Sequence, residues 1–378
     1  MNAPLITALS TTVPEPVPLS RWYGMEAALR VSSRSGWDAW VALWRTERGC
    51  HSGVPAIMAT RDPGTGDGCL PQTDAAPVDD ISVDEIPVEL DTDLSGLAAA
   101  AAQAICHARD RQTPPVDVVM FCHSSLNEHV STTTAGRLRA VVGSPCFAFA
   151  ISQQQGASFF TALRLATDLL AAEPAVCTIL IVAAEKWCPP FSRWAAPCVL
   201  HGDAAGAVLV ERGRPDMHGL RLISARTRAL PPFHPVHPVH PVHPSPPFQP
   251  SARLALPDAN SIWTPAICSL INGMLARHGL QPRDLCAVTG HHVNPQLVAA
   301  ICRHLGLPDT ARCTTSRAYL GAAESAVRLA ETLNGRELPQ PGHMLAWGIG
   351  LGGYVSCALL ESQGRPSVYR CANLEDPP

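Results

Sequence analysis

Two segments, in each of which a short apolar strand runs through a polar turn into a helix, limit the possible folds most strongly. The first has a strand at 146–151, the turn 152–156 and then a helix with apolar residues at helical spacing. The second has a strand at 285–289, the turn 290–294 and a helix at 295–304. Alternating strands and helices predict the α/β class, and the recurrence of one unit predicts two duplicated halves.

Other apolar runs extend the same pattern. We predict further helices at 97–108 and 264–278 and further strands at 116–122, 177–184 and 207–211. Each half ends on a glycine-rich turn that leads into a strand, at 202–211 and at 348–361. We therefore predict an N-terminal half of residues 1–212 and a C-terminal half of residues 213–378. In residues 1–95 the pattern predicts one helix, at 25–42, and little other secondary structure.

The charge balance argues against a nucleic-acid or membrane-surface partner. The net charge is -4 and the pI is about 6.4, so the chain lacks the basic field that such polyanions need. No apolar run reaches the roughly 20 residues that span a bilayer, and the first residues do not resemble a secretion signal. We expect a cytoplasmic protein.

The distribution of cysteines and histidines does not indicate a metal site. The 14 cysteines are scattered, without a CxxC pair, and favour buried thiols over disulfides or zinc. Residues 231–250 repeat His-Pro-Val, with histidines at His234, His237, His240 and His243. Proline at every third position predicts an extended insertion whose histidines do not converge. We expect no metal and no cofactor.

Three motifs together resemble the thiolase superfamily, and within it the ketoacyl-ACP synthase III family. The segments 201–207, 291–294 and 347–353 are similar to the family's Gly-Asp-Gly-Ala-Gly-Ala turn, His-Gln-Ala-Asn motif and C-terminal glycine-rich loop. The resemblance covers residues 95–360. It implies a five-layered αβαβα fold, a dimer, and an acyl thioester of coenzyme A or acyl carrier protein as the substrate.

The chain departs from the family at the position of the nucleophilic cysteine. The matching run is Gln155-Gly156-Ala157-Ser158, which places Gly156 at that position, and a glycine forms no covalent acyl-enzyme. A shift of one residue would place Gln155 there, as in relatives that only decarboxylate malonyl thioesters. We prefer Gly156, because Ala157 and Ser158 then keep the family's spacing.

A second departure concerns the asparagine that holds the thioester carbonyl in the family's synthases. No asparagine occurs in 317–324, and the acidic Glu324 shortly after a Gly-Ala pair resembles a branch of acyltransferases that acylate hydroxyl or similar acceptors. The resemblance thus implies His291 as a general base oriented by Glu324, with Asn294 beside them. His201 and Asp203 are expected to shape the core only.

Backbone donors and polar loops complete the predicted site. The N–H groups of Gly156 and Gly353 are expected to polarise the thioester oxygen, because glycine allows main chain to approach a ligand closely. Substrate contacts are predicted for Asn127, Gln155 and His292, since ligands gather where the strands of open α/β sheets end.

We predict an acyltransferase of secondary-metabolite or fatty-acid-type biosynthesis that works without a covalent intermediate. Two alternatives remain open. One is a non-catalytic subunit that pairs with a cysteine-bearing homologue, and the other is a malonyl-thioester decarboxylase. The first alternative predicts a heterodimer, whereas an independent enzyme predicts a homodimer.

Overall fold

The computed structural model describes residues 3–18, 21, 85–109, 113–125, 133–187, 193–196, 199–230, 259–291, 295–306, 318–335 and 337–371. Outside these ranges lie the predicted helix at 25–42, the insertion at 231–250, and the predicted site residues Asn127, His292 and Asn294.

The described chain alternates strands with helices, as the sequence predicts. The strands are β1 (Pro4–Thr12), β2 (Pro16–Pro18), β3 (Glu85–Pro87), β4 (Val118–His123), β5 (Phe147–Ser152), β6 (Thr178–Glu185), β7 (Trp194–Ala196), β8 (Val199–Leu200), β9 (Ala204–Arg212), β10 (Leu220–Ala229), β11 (Leu285–Thr289), β12 (His343–Gly350), β13 (Tyr354–Ser362) and β14 (Ser367–Arg370). The helices are α1 (Leu94–Ala108), α2 (Thr134–Val142), α3 (Ser158–Ala172), α4 (Ala259–Arg277), α5 (Pro295–His304) and α6 (Glu324–Gly335).

One large sheet contains two copies of the same strand pattern. Its order is β11-β12-β13-β10-β1-β9-β6-β4-β5, and β14 adds to β1 in parallel. On one side, β1 pairs with β9 and β9 with β6 in antiparallel fashion, and β6 pairs with β4 in parallel. On the other side, β10 pairs with β13 and β13 with β12 in antiparallel fashion, and β12 pairs with β11 in parallel. The copies meet where β1 and β10 pair, with the register Leu5 to Arg221 and Ile6 to Leu220. The topology supports a duplicated chain, and the division at residue 212 stays a prediction.

Burial divides the molecule into five layers. Val119 and Phe121 on one face of β4 join the cluster packed on α1 and α2, whereas Val118 and Met120 on the other face pack toward α3. The helices α3 and α6 share one cluster with residues from both halves of the sheet. A third cluster packs α4 and α5 on the outer face of β11–β13. The predicted αβαβα arrangement is therefore confirmed.

The predicted ends of the helices and strands agree closely with the structure where the pattern of apolar residues determines them. The strand at 285–289 and the helix at 295–304 match β11 and α5. The helix predicted from residue 97 begins earlier, at Leu94, because the Asp93 carboxylate accepts a hydrogen bond from the Gly96 N–H and caps the first turn. Among the described residues, no helix combines the length and apolar character that crossing a bilayer requires.

Candidate functional site

The turn after β5 forces the chain sharply from strand into helix. Gln153 and Gln155 have φ values of 66° and 46°, which are uncommon for residues with a side chain. Residues Gln155–Ala157 form a 3-10 turn that leads directly into α3. The Gln155 N–H donates to Ser124 Oγ at 2.9 Å, and its side-chain Oε1 accepts the Leu351 N–H at 2.6 Å. Gln155 thereby connects this turn to the end of β4 and to the glycine-rich loop.

The structure brings together Gly156, at the position of the missing nucleophile, and His291, the predicted base. A Cβ atom on Gly156 would collide with Cε1 of the His291 ring and would lie 2.8 Å from the Ile349 carbonyl oxygen. Real Cβ atoms do not approach other atoms this closely, so residue 156 accommodates no side chain while His291 holds its position. The two residues are in direct contact, without the cavity between them that a cysteine thiol would occupy.

Hydrogen bonds at both ring nitrogens define the state of His291. Nδ1 accepts the Ile349 N–H at 3.1 Å, and Nε2 lies 2.9 Å from Ser325 Oγ. Because Nδ1 accepts, the one ring proton of a neutral imidazole is on Nε2, which donates to the serine. The Ser325 hydroxyl in turn donates to the Gly156 carbonyl oxygen at 3.3 Å. His291 therefore presents an N–H donor, and not a basic lone pair, to its surroundings.

The Gly156 N–H, predicted as an oxyanion donor, has a partner within the chain. It donates to the Tyr319 hydroxyl oxygen at 3.0 Å, and that hydroxyl donates to the Ile349 carbonyl oxygen at 2.8 Å. Gly353, the second predicted donor, has a φ of 97° and donates its N–H to the Gly350 carbonyl oxygen at 2.9 Å within the turn between β12 and β13. Neither donor points at an empty position, and the oxyanion assignment stays a prediction.

Glu324 begins α6 and is fully buried as half of an ion pair. Its Oε1 accepts from Arg328 Nε at 2.9 Å, and its Oε2 accepts the Leu320 N–H at 2.8 Å. Burial alone would raise the pKa of Glu324, but the charge and hydrogen bond of the Arg328 guanidinium lower it to about 2. The carboxylate is thus ionised and held by Arg328 and the Leu320 N–H, while Ser325 makes the hydrogen bond at His291 Nε2.

Two glycines let the His291 turn pack against the glycine-rich loop. A Cβ on Gly290 would overlap the Trp347 indole. A Cβ on Gly348 would lie 2.6 Å from His291 Nε2 and 2.6 Å from the Phe160 ring. Close approach of main chain to aromatic rings is the physical role of these glycines, and it explains why both motifs contain them.

The residues that complete the site were not assigned roles from the sequence. Tyr319 and Ser325 flank Glu324 in the chain, but their contacts with Gly156 join positions 163 and 169 residues apart. The position of Ser325 in the first turn of a helix was an available signal. The signal for Tyr319 was weaker, because a tyrosine between Ala318 and Leu320 fits an ordinary core position.

Glu185 is a further buried acid close to the site. It ends β6, and its Oε2 accepts the Ser125 N–H at 2.8 Å. Its Oε1 accepts the Ala322 N–H at 3.4 Å. Burial raises the pKa of Glu185 to about 7, although the hydrogen bonds from Ser125 and Ala322 act in the opposite direction. Glu185 joins the loop after β4 to the turn that precedes Glu324.

His201 and Asp203 are held in a buried structural cluster. The Asp203 carboxylate pairs with Arg193 at 2.7 Å, and its two oxygens also accept the N–H groups of Glu89 and Trp187. The His201 ring stacks on Trp187 at 3.9 Å between ring centroids. These contacts support the expectation that both residues shape the core. Among the described residues, no group of three His, Cys, Asp or Glu side chains is placed to hold a metal.

Two family models each match a part of the chain. Residues 152–230 match the model described as 3-oxoacyl-[acyl-carrier-protein (ACP)] synthase III, and residues 275–362 match the model of that enzyme's C-terminal region. Over these two segments the chain is similar to the ketoacyl-ACP synthase III family, which confirms the resemblance predicted from the motifs. The two matches contain the Gly156 turn and the glycine-rich loop, which the contacts of Gln155 and His291 bring together.

Solved structures share the fold of this synthase III-like chain over nearly its whole length. ChlB3, described as an acyltransferase, is 22% identical with a TM-score of 0.70, covering 96% of this chain and 99% of ChlB3. FabH, the 3-oxoacyl-(acyl carrier protein) synthase III of Pseudomonas aeruginosa PAO1, is 20% identical with a TM-score of 0.63, covering 95% and 98%. AbyA1, a tetronic acid condensing enzyme, is 16% identical with a TM-score of 0.63, covering 95% and 100%. A search of curated proteins found no match.

Proposed function

We propose that this synthase III-like chain binds an acyl thioester of coenzyme A or acyl carrier protein and transfers the acyl group to an acceptor. The observation that carries the proposal is the meeting of Gly156, His291 and the glycine-rich loop at the junction of the two halves. The names of the structural relatives, an acyltransferase, a 3-oxoacyl-(acyl carrier protein) synthase III and a tetronic acid condensing enzyme, support it at the level of reaction class. We propose a cytoplasmic protein of secondary-metabolite or fatty-acid-type biosynthesis.

The acyl group is transferred to the acceptor without an acyl-cysteine intermediate. Residue 156 has no side chain, and the space that a thiol would need contains the His291 ring. The acceptor's oxygen or nitrogen therefore attacks the thioester carbonyl directly while both substrates are bound. The C–S bond breaks, and the proton that the acceptor loses ends on the departing thiolate, which leaves as the thiol of coenzyme A or the carrier protein. This route requires that the protein hold the two substrates together and polarise the carbonyl oxygen. Binding groups fixed in position provide the first, and hydrogen-bond donors of the main chain and side chains provide the second.

The role of His291 in such a transfer follows from its proton. With Nδ1 accepting the Ile349 N–H, Nε2–H is a donor suited to a carbonyl oxygen or an oxyanion. A general base would need the lone pair on Nε2, and the proton moved to Nδ1 would then oppose the Ile349 N–H. We propose donation from Nε2 as the first role, with Glu324 as the nearby charge that stabilises the site. The base role requires His291 to give up its contact with Ile349.

A non-catalytic subunit is a second candidate, and the occupied site favours it. The Gly156 N–H, the Leu351 N–H and both nitrogens of His291 have partners within the chain. In addition, β5 is an edge strand of the sheet with Phe147 68% exposed, and an open apolar edge is suited to pairing with another chain. The pairing subunit would be either a cysteine-bearing homologue or a second copy of this chain.

Acyl-transfer assays separate these candidates. The purified chain is incubated with acetyl-, malonyl- and octanoyl-CoA and a panel of alcohol and amine acceptors, and CoA release and products are followed by mass spectrometry. We expect an acylated acceptor whose formation falls in the His291→Ala variant. Equal rates for the wild type and the variant contradict the mechanism. Release of CO2 from malonyl-CoA without transfer indicates the decarboxylase.

The subunit candidate is tested by its assembly state. The chain is co-expressed with a cysteine-bearing homologue from the same source, and the masses of the purified assemblies are measured by native mass spectrometry. A stable heterodimer, together with no transfer by the chain alone, favours the subunit. A homodimer that transfers acyl groups favours the enzyme.

A further inference from the structure

The Tyr319 hydroxyl lies between two backbone groups of the site. It accepts the Gly156 N–H at 3.0 Å and donates to the Ile349 carbonyl oxygen at 2.8 Å. The side chain is 1% exposed, and its ring lies 5.6 Å from the His291 ring between centroids. Tyr319 therefore bridges the turn after β5 and the end of β12 at the point where the two halves of the chain meet.

The Tyr319 hydroxyl takes the hydrogen bond that a thioester carbonyl at Gly156 would need. A thioester carbonyl oxygen and a phenol oxygen are both acceptors, and each is able to take the single N–H of Gly156. One N–H with a good linear bond to one oxygen does not polarise a second oxygen at the same time. The Tyr319 hydroxyl and a thioester carbonyl thus compete for one donor.

A second side chain occupies the neighbouring donor in the glycine-rich loop. The Gln155 amide oxygen accepts the Leu351 N–H at 2.6 Å, so two adjacent backbone donors of the site each have an oxygen of the chain itself as partner. Gln155 is held from its other side by Ser124, which accepts the Gln155 N–H. The Tyr319 backbone is held away from this turn, since its N–H donates to the Leu200 carbonyl oxygen and its own carbonyl accepts the Gly202 N–H. The hydroxyl is the Tyr319 group that contacts the Gly156 donor.

We infer that Tyr319 is a gate for the thioester: its hydroxyl fills the carbonyl-oxygen position at Gly156, and an acyl thioester is polarised there only after Tyr319 withdraws. The inference rests on the proposed function, since it assumes that a thioester binds at this site. Tyr319 lies outside the three motifs that carry the family resemblance.

Loss of the phenol proton does not open this gate in the ordinary pH range. Burial raises the pKa of Tyr319 well above its usual value, and the nearby Glu324 and Glu185 carboxylates add to this effect. The phenol therefore remains a neutral hydroxyl that both accepts and donates. Displacement has to come from a ligand or a partner that rearranges the turn.

The Tyr319→Phe variant tests the gate, because it removes the hydroxyl and keeps the ring. Binding is measured by calorimetry for two probes: a ketone analogue of acetyl-CoA, in which a methylene group replaces the thioester sulfur, and CoA itself, which has no carbonyl at that position. Tyr369→Phe is the matched control, since Tyr369 lies in β14 and packs with the α1 and α2 cluster away from the site.

We expect Tyr319→Phe to bind the ketone analogue about fivefold more tightly than the wild type, the effect of one net hydrogen bond, with CoA binding unchanged. Tyr369→Phe should match the wild type for both probes. A merely structural role for Tyr319 predicts weaker or equal binding, and equal tightening for CoA and the analogue also overturns the gate. If both proteins bind the analogue equally, the gate is wrong and the proposed function stands. If neither binds it, both are wrong.

A structure of the wild-type chain with the ketone analogue provides the test if Tyr319→Phe does not fold. We expect the Tyr319 hydroxyl to have left the Gly156 N–H, with the analogue's carbonyl oxygen in its place. An analogue bound beside His291 with the contact between Tyr319 and Gly156 intact overturns the inference.

Discussion

The imidazole of His291 occupies the space into which any side chain on Gly156 would point. The absence of a cysteine at this position is therefore part of the packing, because the His291 ring occupies the volume that a thiol would need. The substitution and the position of the ring depend on each other. A cysteine introduced alone would meet a protein that no longer has room for it.

Introducing a side chain at Gly156 should destabilise the protein. We expect Gly156→Ala to lower the free energy of unfolding by about 1–3 kcal/mol, the usual cost of overpacking, because its Cβ meets both the His291 ring and the Ile349 carbonyl. Urea denaturation measures the change. Gly273→Ala is the control, since Gly273 lies in α4 with no atom within 4 Å of its Cβ position, and alanine there should be neutral or stabilising. A Gly156→Ala variant as stable as Gly273→Ala contradicts the packing.

A restored cysteine should react only when His291 is made smaller. We expect Gly156→Cys to be acylated slowly or not at all by acetyl-CoA, and Gly156→Cys combined with His291→Ala to be acylated faster, because the shorter side chain vacates the thiol position. Intact-protein mass spectrometry detects the added acetyl group. The single His291→Ala variant controls for labelling at other cysteines. Rapid acylation of Gly156→Cys alone would show that the ring moves aside without difficulty.

The ion pair between Glu324 and Arg328 should contribute strongly to stability. Arg328→Met leaves a buried carboxylate without its charge partner, and we expect a loss of about 3–5 kcal/mol at neutral pH. The pKa of Glu324 is lowered to about 2, so the stability from this group is present above its unfolded pKa of 4.5 and is lost as the pH falls toward 2. Unfolding midpoints at pH 7 and pH 3 measure both effects.

The exposed ion pair between Arg164 and Asp168 in α3 provides the matched control. It has the same i,i+4 spacing, but both side chains are 64% exposed. Arg164→Met should change stability by less than about 0.5 kcal/mol. Equal losses in the two variants would show that burial of the Glu324 pair is not what matters.

The sequence predicts the parts of the site that follow from local pattern and fails where distant side chains meet. The strand and turn around Gly156, and those around His291, were read from apolar runs and motifs, and the structure brings the two turns together. Glu324 was expected to orient His291, whereas its carboxylate bonds to Arg328, and Ser325 makes the hydrogen bond to the ring. The i,i+4 spacing of Glu324 and Arg328 was a visible signal for that ion pair.

The role of Tyr319 could not be predicted from the sequence, for a physical reason. The hydroxyl contacts Gly156 and Ile349, and these three residues come from a turn, a loop and a strand end whose spacing depends on the whole fold. No periodicity or local propensity encodes a contact of this kind. The five layers were predictable because burial on alternate faces of a strand is a local pattern, and the hydrogen-bond partners inside them were not.

Glu185 should make stability depend on pH between about 4.5 and 7. Its pKa is raised from 4.5 to about 7, so the folded protein binds the proton more tightly than the unfolded chain does. Stability from this group is therefore full below pH 4.5 and is lost as the pH rises to 7, by up to about 3 kcal/mol. We expect Glu185→Gln, which cannot ionise, to remove most of this decline. Urea midpoints at pH 5 and pH 8 for both proteins measure it, and an unchanged difference between the two pH values contradicts the assignment.

His291 should be replaceable in part by a side chain that donates but is not a base. If His291 contributes through Nε2–H, the amide N–H of His291→Gln supplies a donor at a similar reach, and the variant should keep more acyl-transfer activity than His291→Ala, whose kcat should fall about 10²–10³-fold. A general base would make both variants equally poor and would give the wild type a rate that rises with pH through the histidine range. Initial rates of CoA release at several pH values distinguish the two roles. A flat wild-type profile with partial rescue by glutamine supports the donor, because glutamine has no lone pair basic enough to remove a proton from the acceptor.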